Sequence, residues 1–374
     1  MRKFGVEEEL LLVDTESLEL LPRGALAVAA QGSTIPSGHS LTTEFKQEQV
    51  EVNSPPQDTL AGQLEAIRVG RRLAQESAAL AGGAVAALPV DPGDHRTHMV
   101  PGVRNNQMAH RFGATATEQL TNGFHIHVDI ESREEAVIAL DRIRVWLPVL
   151  LALSSNSPFA RELDSGFASY RYQKWTRWPN SGPTEIYGSA AAYDAHLQAL
   201  FNSGVPIDAG MMYFDARASD HQPTIEVRVA DVCLHAEHAA VIAALTRALV
   251  ETAVRHQDQE PLPVPVTVLR AWTWQASRYG VEEELVQPQT GTPAPAADVV
   301  GQLLAEVRPV LDEYKETSTV EAVINDILQG GSGAAIQRRA YEEHHDFQDV
   351  LRVALDATLE QRDLQGIAQS SKVD

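Results

Sequence analysis

The sequence predicts an α+β fold, with an antiparallel-type sheet carrying helices, followed by a helical C-terminal region. Three observations lead there. Short segments of alternating apolar and polar residues are scattered through the first 260 residues, and stretches with apolar residues at helical spacing separate them. Beyond "EPLPVPV" (260–266) the pattern is helices and connectors, with no convincing strand. That change of style divides the chain into a sheet-and-helix core over 1–260 and a mainly helical region over 261–374 packed on it.

Phe4 to Val13 reads as a strand and Leu41 to Asn53 as a second, with Pro and Gly punctuation between them. A helix starts near Asp58, carries Leu60, Leu64, Ile67, Leu73 and Leu80 at roughly helical spacing, and stops at Gly82-Gly83. The strand "GAVAALPV" and the His- and Arg-containing loop "DHRTHMVPGVRNNQ" come next. In "NGFHIHVDI", Phe124, Ile126, Val128 and Ile130 alternate with His125, His127 and Asp129, so the polar triplet shares one face. Ser132 and Glu135 form a capping-box pattern that opens an apolar helix to about Ser155, which Pro148 should kink. The following 35 residues, rich in Ser, Gly, Pro, Arg and Trp, lack periodicity and read as a functional loop. After a short helix from Ser189, "MMYFDAR" and "TIEVRVADV" look like a strand pair joined by "ASDHQP", and the helix "HAEHAAVIAALTRALVETAVRHQ" closes the core.

Composition narrows the function. A chain of 374 residues with 44% hydrophobic content can bury a large core as one big domain or two ordinary ones. Its formal charge of −21 repels a phosphate backbone, so nucleic acid is not expected as a partner. The single cysteine, Cys233, reads as a small core residue and fits a reducing compartment. With no apolar signal stretch at the N-terminus and no run of about 18 apolar residues, no membrane segment is expected and the location reads as cytoplasmic. A homo-oligomer is compatible with the sequence, which does not specify an oligomeric state.

The hexapeptide GVEEEL occurs at Gly5–Leu10 and again at Gly280–Leu285. In the first copy, strand geometry aims Glu7 and Glu9 to one face and Glu8, Leu10 and Leu12 to the other. The second copy follows a helical stretch that Gly280 should cap and runs into "PQTGTPAP" with no extended strand. It reads as a solvated charge cluster, since nothing like "HIH" or "IEVR" recurs around it. In "TIEVRVADV", Glu226 and Arg228 share a face while Ile225, Val227 and Val229 line the other. Taken alone, that pair reads equally well as a surface ion pair. With "EEE" and "HIH" on their own strands, three polar faces converge on a cleft crowded with carboxylates. Such carboxylates shift their pKa values or bind cations. Glutamate oxygens with one histidine pair suit Mg²⁺ or Mn²⁺ held together with substrate phosphate oxygens, although a lone HxH also serves in zinc hydrolases.

The segments "FGVEEELLLVD", "TTEFKQEQVEVNSP", "NGFHIHVD", "SYRYQKWTRWPNSG", "YFDARASDHQPTIEVRVADV" and "GGSGAAIQRR" occur in an order that resembles the type 2 glutamate–cysteine ligases, or carboxylate–amine ligases, a branch of the glutamine synthetase-like superfamily. The resemblance runs to about Tyr341. It implies a curved antiparallel sheet around a funnel-shaped active site in residues 1–260, with ATP as substrate. It also implies that Glu7, His125 and Glu226 hold the metal nearest the ATP phosphates, and that Glu9, Glu44 and Glu51 hold a second metal nearer the amino acid. Arg228 would grip the transferring phosphoryl group, with Glu226 beside it, and Arg171 and Trp175 would bind substrate. For Arg171 the guess is a substrate carboxylate, a surface-loop arginine being the plain alternative. Glu44 and Glu51 lie seven residues apart, which a regular strand places on opposite faces, so the chain must bend or bulge between them. His127 shares the face of His125 and either contacts phosphate or supports a ligand, or simply packs. "GGSG" lacks the Lys-Ser/Thr of a phosphate loop and reads as a helix connector.

The implied reaction joins an acid, glutamate foremost, to an amine, cysteine foremost, through an acyl phosphate, giving an amide such as γ-glutamylcysteine. The competing readings are a ligase for a different acid or amine, a zinc-dependent hydrolase built on "HIH" with Asp129, and a non-catalytic metal or nucleotide binder.

Overall fold

The sheet is organised around β1 (Phe4–Asp14), which is long and buried on both faces beyond Glu9, so that it can pair with three other strands. The structure, a computed structural model, describes residues 1–31 and 38–363. β2 (Ser40–Thr43) and β3 (Gln49–Asn53) form a hairpin whose second arm runs antiparallel to β1, and β4 (Gly83–Ala86) pairs with the far end of β1. β5 (Phe124–Asp129) lies on the other side of β1. Two short strands, β6 (Phe159–Ala160) and β7 (Leu163–Asp164), pair with each other in a separate two-stranded sheet. β8 (Ala216–Ala218) and β9 (Thr224–Val227) complete an antiparallel sheet of order β2-β3-β1-β5-β9-β8.

Alternation along these strands decides what faces what. Phe4 and Val6 of β1 enter the main core with Phe124, Ile126 and Val128 of β5, and Leu10 and Leu12 join Val50, Val52 and Leu73 in a second cluster. Glu8 points the same way, into the protein, and Arg71 meets it with two hydrogen bonds of 2.6 and 3.0 Å. The other Arg71 donors go to the carbonyls of Cys233 and Leu234 at 2.7 and 2.9 Å. Both buried charges are thereby fully engaged, the condition for tolerating an ion pair out of water. On the opposite face, Glu7 and Glu9 precede Leu11 and Val13, which are covered by Leu88, Leu120 and Leu351. The polar window on β1 is therefore narrow.

The helix 236–255 is buried along nearly its whole length, as expected of a helix apolar on all sides. It shares one core with helices 133–143, 266–279, 296–314 and 317–330. Among the described residues, no helix is long and apolar enough to cross a membrane.

Several local expectations change. The stretch from Leu41 to Asn53 is two strands rather than one, with the turn starting at Glu44. Pro148 starts a new helix, Leu147–Ser154, instead of kinking a continuous one, because its ring fits the first turn where no N–H partner is needed. The expected 35-residue loop contains β6, β7 and the helix Tyr170–Trp175. After residue 266 there is a small strand pair, β10 (Glu284–Val286) with β11 (Pro293–Pro295), formed by the end of the second hexapeptide itself. Short edge strands of this kind can carry the prolines that a central strand would exclude.

Ser132 caps its helix as the sequence indicates, accepting from Glu135 N at 3.1 Å, while the Glu135 side chain reaches the Glu131 amide and Arg2. Ser132→Ala should lower unfolding stability by about 1 kcal/mol in urea titrations, since this orphan N–H then loses its partner.

Candidate active site

Antiparallel register places the polar residues side by side. Glu7 sits opposite His125 across the β1–β5 pair, His127 opposite Glu226 across β5–β9, and Glu9 opposite Glu51 across β1–β3. Arg217 on β8 stands opposite Glu226. One sheet face thus carries acids, imidazoles and guanidiniums in a cleft of about 410 Å³.

The side chains fall into two groups. In the first, Glu7, His127 and Glu226 each offer one donor atom, and these lie within 4.8 Å of one another. His127 Nε2 is 3.2 Å from Glu7 Oε1, and His127 Nδ1 is 3.0 Å from Thr224 Oγ1. Glu226 accepts from Arg217 Nε at 2.7 Å and from Arg228. Burial alone would raise both acids. Hydrogen bonds from His125 and His127 instead hold Glu7 well below the usual carboxylate range, and the charges of Arg228 and Arg217 do the same for Glu226. His127 is raised despite its burial, by the adjacent Glu7.

In the second group, Glu9, Glu44 and Glu51 also offer donor atoms within 4.8 Å of one another. Glu9 accepts from the Gly123 amide at 2.6 Å, Glu44 from the Phe45 amide at 2.7 Å, and Glu51 from Asn53 at 2.9 Å. Burial and mutual repulsion raise Glu44 and Glu51, through Glu9 and Glu51 for the former and Glu7 and Glu9 for the latter. The β2–β3 turn resolves the parity problem, because Glu44 leaves the strand before Glu51 enters the next one.

Both donor sets fit hard divalent cations. Ligands of an octahedral ion at about 2.1 Å stand no more than roughly 4.2 Å apart, which donors within 4.8 Å of one another can meet with small side-chain adjustments. Three carboxylates with two of them pushed upward hold negative charge that a cation would offset. The grouping differs from the expected one at one position. His127 completes the first set, while His125 lies between the two, with Nδ1 3.0 Å from Glu7 and Nε2 3.7 Å from Glu9.

Arg171 is buried rather than on the surface. It is 1% exposed, and its guanidinium donates to the carbonyls of Val229 and Arg228 at 3.2 and 3.3 Å, with Asp231 at 3.9 Å. It is therefore not a surface arginine: it holds the backbone that carries Arg228, and its NH2 packs against Gly123, next to His125. Trp175 does line the cleft, donates from Nε1 to the Tyr213 carbonyl at 3.1 Å, and has the guanidiniums of both Arg171 and Arg228 about 5.5 and 5.6 Å from its ring centre. Arg217 was not anticipated. Reading the "MMYFDAR"/"TIEVRVADV" pair as a hairpin in register would have paired it with Glu226.

The second hexapeptide lies away from both donor sets. Glu282, Glu283 and Glu284 are exposed, and Glu282 accepts from Ser332 of the "GGSG" connector at 2.7 Å. Gly280, at φ +60°, ends the preceding helix as expected. Glu282→Gln keeps the accepting oxygen, so a stability change within about 0.5 kcal/mol and an unchanged rate are expected, by denaturant unfolding and steady-state assay.

A model of the glutamate-cysteine ligase family 2 matches residues 3–352. The chain is 47% identical over 365 residues to a Paenarthrobacter aurescens protein provisionally named glutamate–cysteine ligase 2-1, covering 96% of this chain and 95% of that protein. A Streptomyces coelicolor protein provisionally named glutamate–cysteine ligase 2 is 40% identical over 365 residues, covering 96% and 99% of the two chains. Among solved structures, the glutamate–cysteine ligase of Francisella tularensis in complex with AMP superposes with a TM-score of 0.62 at 12% identity, over 99% of this chain and 91% of that one. The bifunctional glutathione synthetase of Pasteurella multocida gives a TM-score of 0.68 at 15% identity over 96% of this chain, which spans about half (52%) of that larger enzyme. At such identities the structural likeness concerns the fold.

Proposed function

The chain belongs to the glutamate–cysteine ligase family 2, and from that membership together with the cleft's donors we propose that it is an ATP-dependent carboxylate–amine ligase, joining the γ-carboxylate of glutamate to an amine, cysteine foremost. The observation that carries this reading is the pair of donor sets, Glu7/His127/Glu226 and Glu9/Glu44/Glu51, side by side on one sheet face with Arg228 at their edge.

A carboxylate oxygen of the acid attacks the γ-phosphorus of ATP, ADP leaves, and an acyl phosphate forms. The amine nitrogen then attacks the acyl carbon, loses a proton, and inorganic phosphate departs with the oxygen that made the attack. Arg228 supports the first step. Its NH1 is committed to Glu226, while its buried Nε has no hydrogen-bond partner among the described residues, leaving donors for phosphoryl oxygens. Divalent ions held by the two sets would neutralise charge on the phosphates and the attacking carboxylate. The Trp175 ring beside Arg228 fixes the guanidinium and keeps water from its face. Glu7, Glu9, Glu44, Glu51 and Glu226 bring five negative charges. Two divalent ions, Arg228 and the Arg217 that also holds Glu226 would bring six positive ones, so the shell would be ready for anionic substrates.

Phosphate release from ATP that requires glutamate, an amine and Mg²⁺ together, with the amide identified by mass spectrometry across an amine panel, tests the proposal. Mg²⁺ or Mn²⁺ should support turnover and Zn²⁺ should not, because shells rich in carboxylate favour hard six-coordinate ions. ATP-independent hydrolysis with zinc alone would replace the ligase reading with a hydrolase.

A further inference from the structure

Behind the wall of the acidic cleft lies a second and larger cavity of about 1140 Å³, lined by none of the residues of the two donor sets. Three segments form the partition. Phe45, Gln119 and Trp175 face the acidic cleft, while their chain neighbours Lys46, Glu118 and Lys174 face the second cavity. The same division holds one turn further on, where Trp178 faces the cleft and Arg177 the cavity. The two spaces stand back to back across one layer of chain.

Their charge is opposite in character. Lys46, Lys174, Arg161 and Arg177 converge on the second cavity in a chain of net charge −21. The acids around it are already engaged. Asp91 accepts from the Gly93 amide at 2.9 Å and stands 3.0 Å from His95 Nδ1. Glu118 accepts from Arg177 at 3.1 Å, and Asp164 accepts from Arg338 at 2.9 Å. Asp94, at the rim, lies 3.9 Å from Arg161.

The cations are not equally satisfied. Lys46 is 1% exposed and places Nζ on the Thr117 carbonyl at 2.7 Å. The Lys174 ammonium makes no hydrogen bond or ion pair among the described residues. Burial holds it down at about 8, with Asp91 opposing and Arg161, Arg177 and Lys46 adding repulsion. Lys174 is half-buried and lines the cavity among like charges, which an entering anion would offset. Val90, Leu120 and Tyr170 add apolar wall. The volume also exceeds what a bare inorganic ion needs and lies just above the usual range for small-molecule sites.

We propose that this cavity is a binding site for a small organic anion carrying phosphate or carboxylate groups, with Lys174 as its principal contact and Lys46, Arg161 and Arg177 around it. The site stands independently of the ligase reading, because its ligand needs neither ATP nor metal.

The test uses full-length protein freed of metal with a chelating resin, titrated calorimetrically with pyrophosphate in one arm and citrate in the other. Without divalent ions the glutamate-rich cleft repels both probes, so saturable binding reports the second cavity. The wild type should bind at least one probe at one site per chain. The tighter probe identifies phosphate or carboxylate as the preferred group. Lys174→Met and Arg177→Gln should each weaken binding about tenfold or more, as expected for loss of a charge-assisted contact. Arg228→Lys, across the partition, should leave it within about twofold. Lys174→Met should melt no lower than the wild type, since it removes an unpaired charge, and the more exposed Arg177 supplies a second variant. Absence of saturable binding by both probes overturns the proposal. So does a loss that follows Arg228 while sparing Lys174 and Arg177.

Discussion

Arg228→Lys should lower kcat by at least about a hundredfold while leaving the melting temperature close to that of the wild type. Losing one preorganised donor to a developing anionic centre typically costs about 10²–10³ in rate, and arginines that meet a transferring phosphoryl group are worth more. The Arg228 guanidinium holds Glu226 with NH1 and keeps other donors in a fixed plane beside the Trp175 ring. A lysine ammonium can neutralise Glu226 or meet a phosphoryl oxygen, but as a point charge on a flexible stem it cannot hold both in one plane. Because a cation is kept next to Glu226, the folded state should be little affected. Turnover near normal in this variant would remove Arg228 from the phosphoryl-transfer step.

Glu7→Gln should be comparably severe, with a different signature. Glu7 is the hinge of the first donor set, touching His125 at 3.0 Å and His127 at 3.2 Å. The amide keeps the shape and removes the charge, so a cation there loses an anionic ligand. Residues that merely support a metal ligand carry about 10 to 100-fold in affinity or activity, and loss of a ligand should be at least that large. Because the defect lies in binding, activity should partly recover as Mg²⁺ is raised, a behaviour not expected of Arg228→Lys. Steady-state rates over a Mg²⁺ titration separate the two. Glu282→Gln in the second copy of the hexapeptide is the matched control, and a large equal loss at both positions would make the second copy a site.

The parts of the site that alternate on a strand were legible in the sequence. Glu7 and Glu9 on β1, the imidazoles on β5, and Glu226 on β9 with Arg228 just past its end all line the same cleft in the structure. Glu8 was also legible as facing the other way, but its partner Arg71 was not, since nothing local links residues 63 apart. Strand register puts His125 opposite Glu7 and His127 opposite Glu226, an arrangement invisible in a single strand's pattern. Glu44 and Glu51 came together through a turn that the apolar alternation of "QVEVN" had absorbed into one long strand. The burial of Arg171 was illegible for a different reason. An arginine in an aperiodic segment reads as exposed, yet Ser157 and Ser169 anchor this segment to buried Asp231 at 2.7 and 2.8 Å and carry Arg171 inside. The same local blindness applies to Lys174, whose neighbour Lys46 comes from a distant part of the chain.

The most direct measurement of the central claim follows an oxygen atom. Glutamate labelled with ¹⁸O in its γ-carboxylate is incubated with ATP, Mg²⁺ and the amine that gives the best yield, and the released phosphate is analysed by mass spectrometry. If the carboxylate is activated as an acyl phosphate, each amide formed sends one labelled oxygen into inorganic phosphate. Amide formation with unlabelled phosphate would mean that the carboxylate never bonds to phosphorus, and the assignment of the cleft to acyl-phosphate chemistry would be wrong.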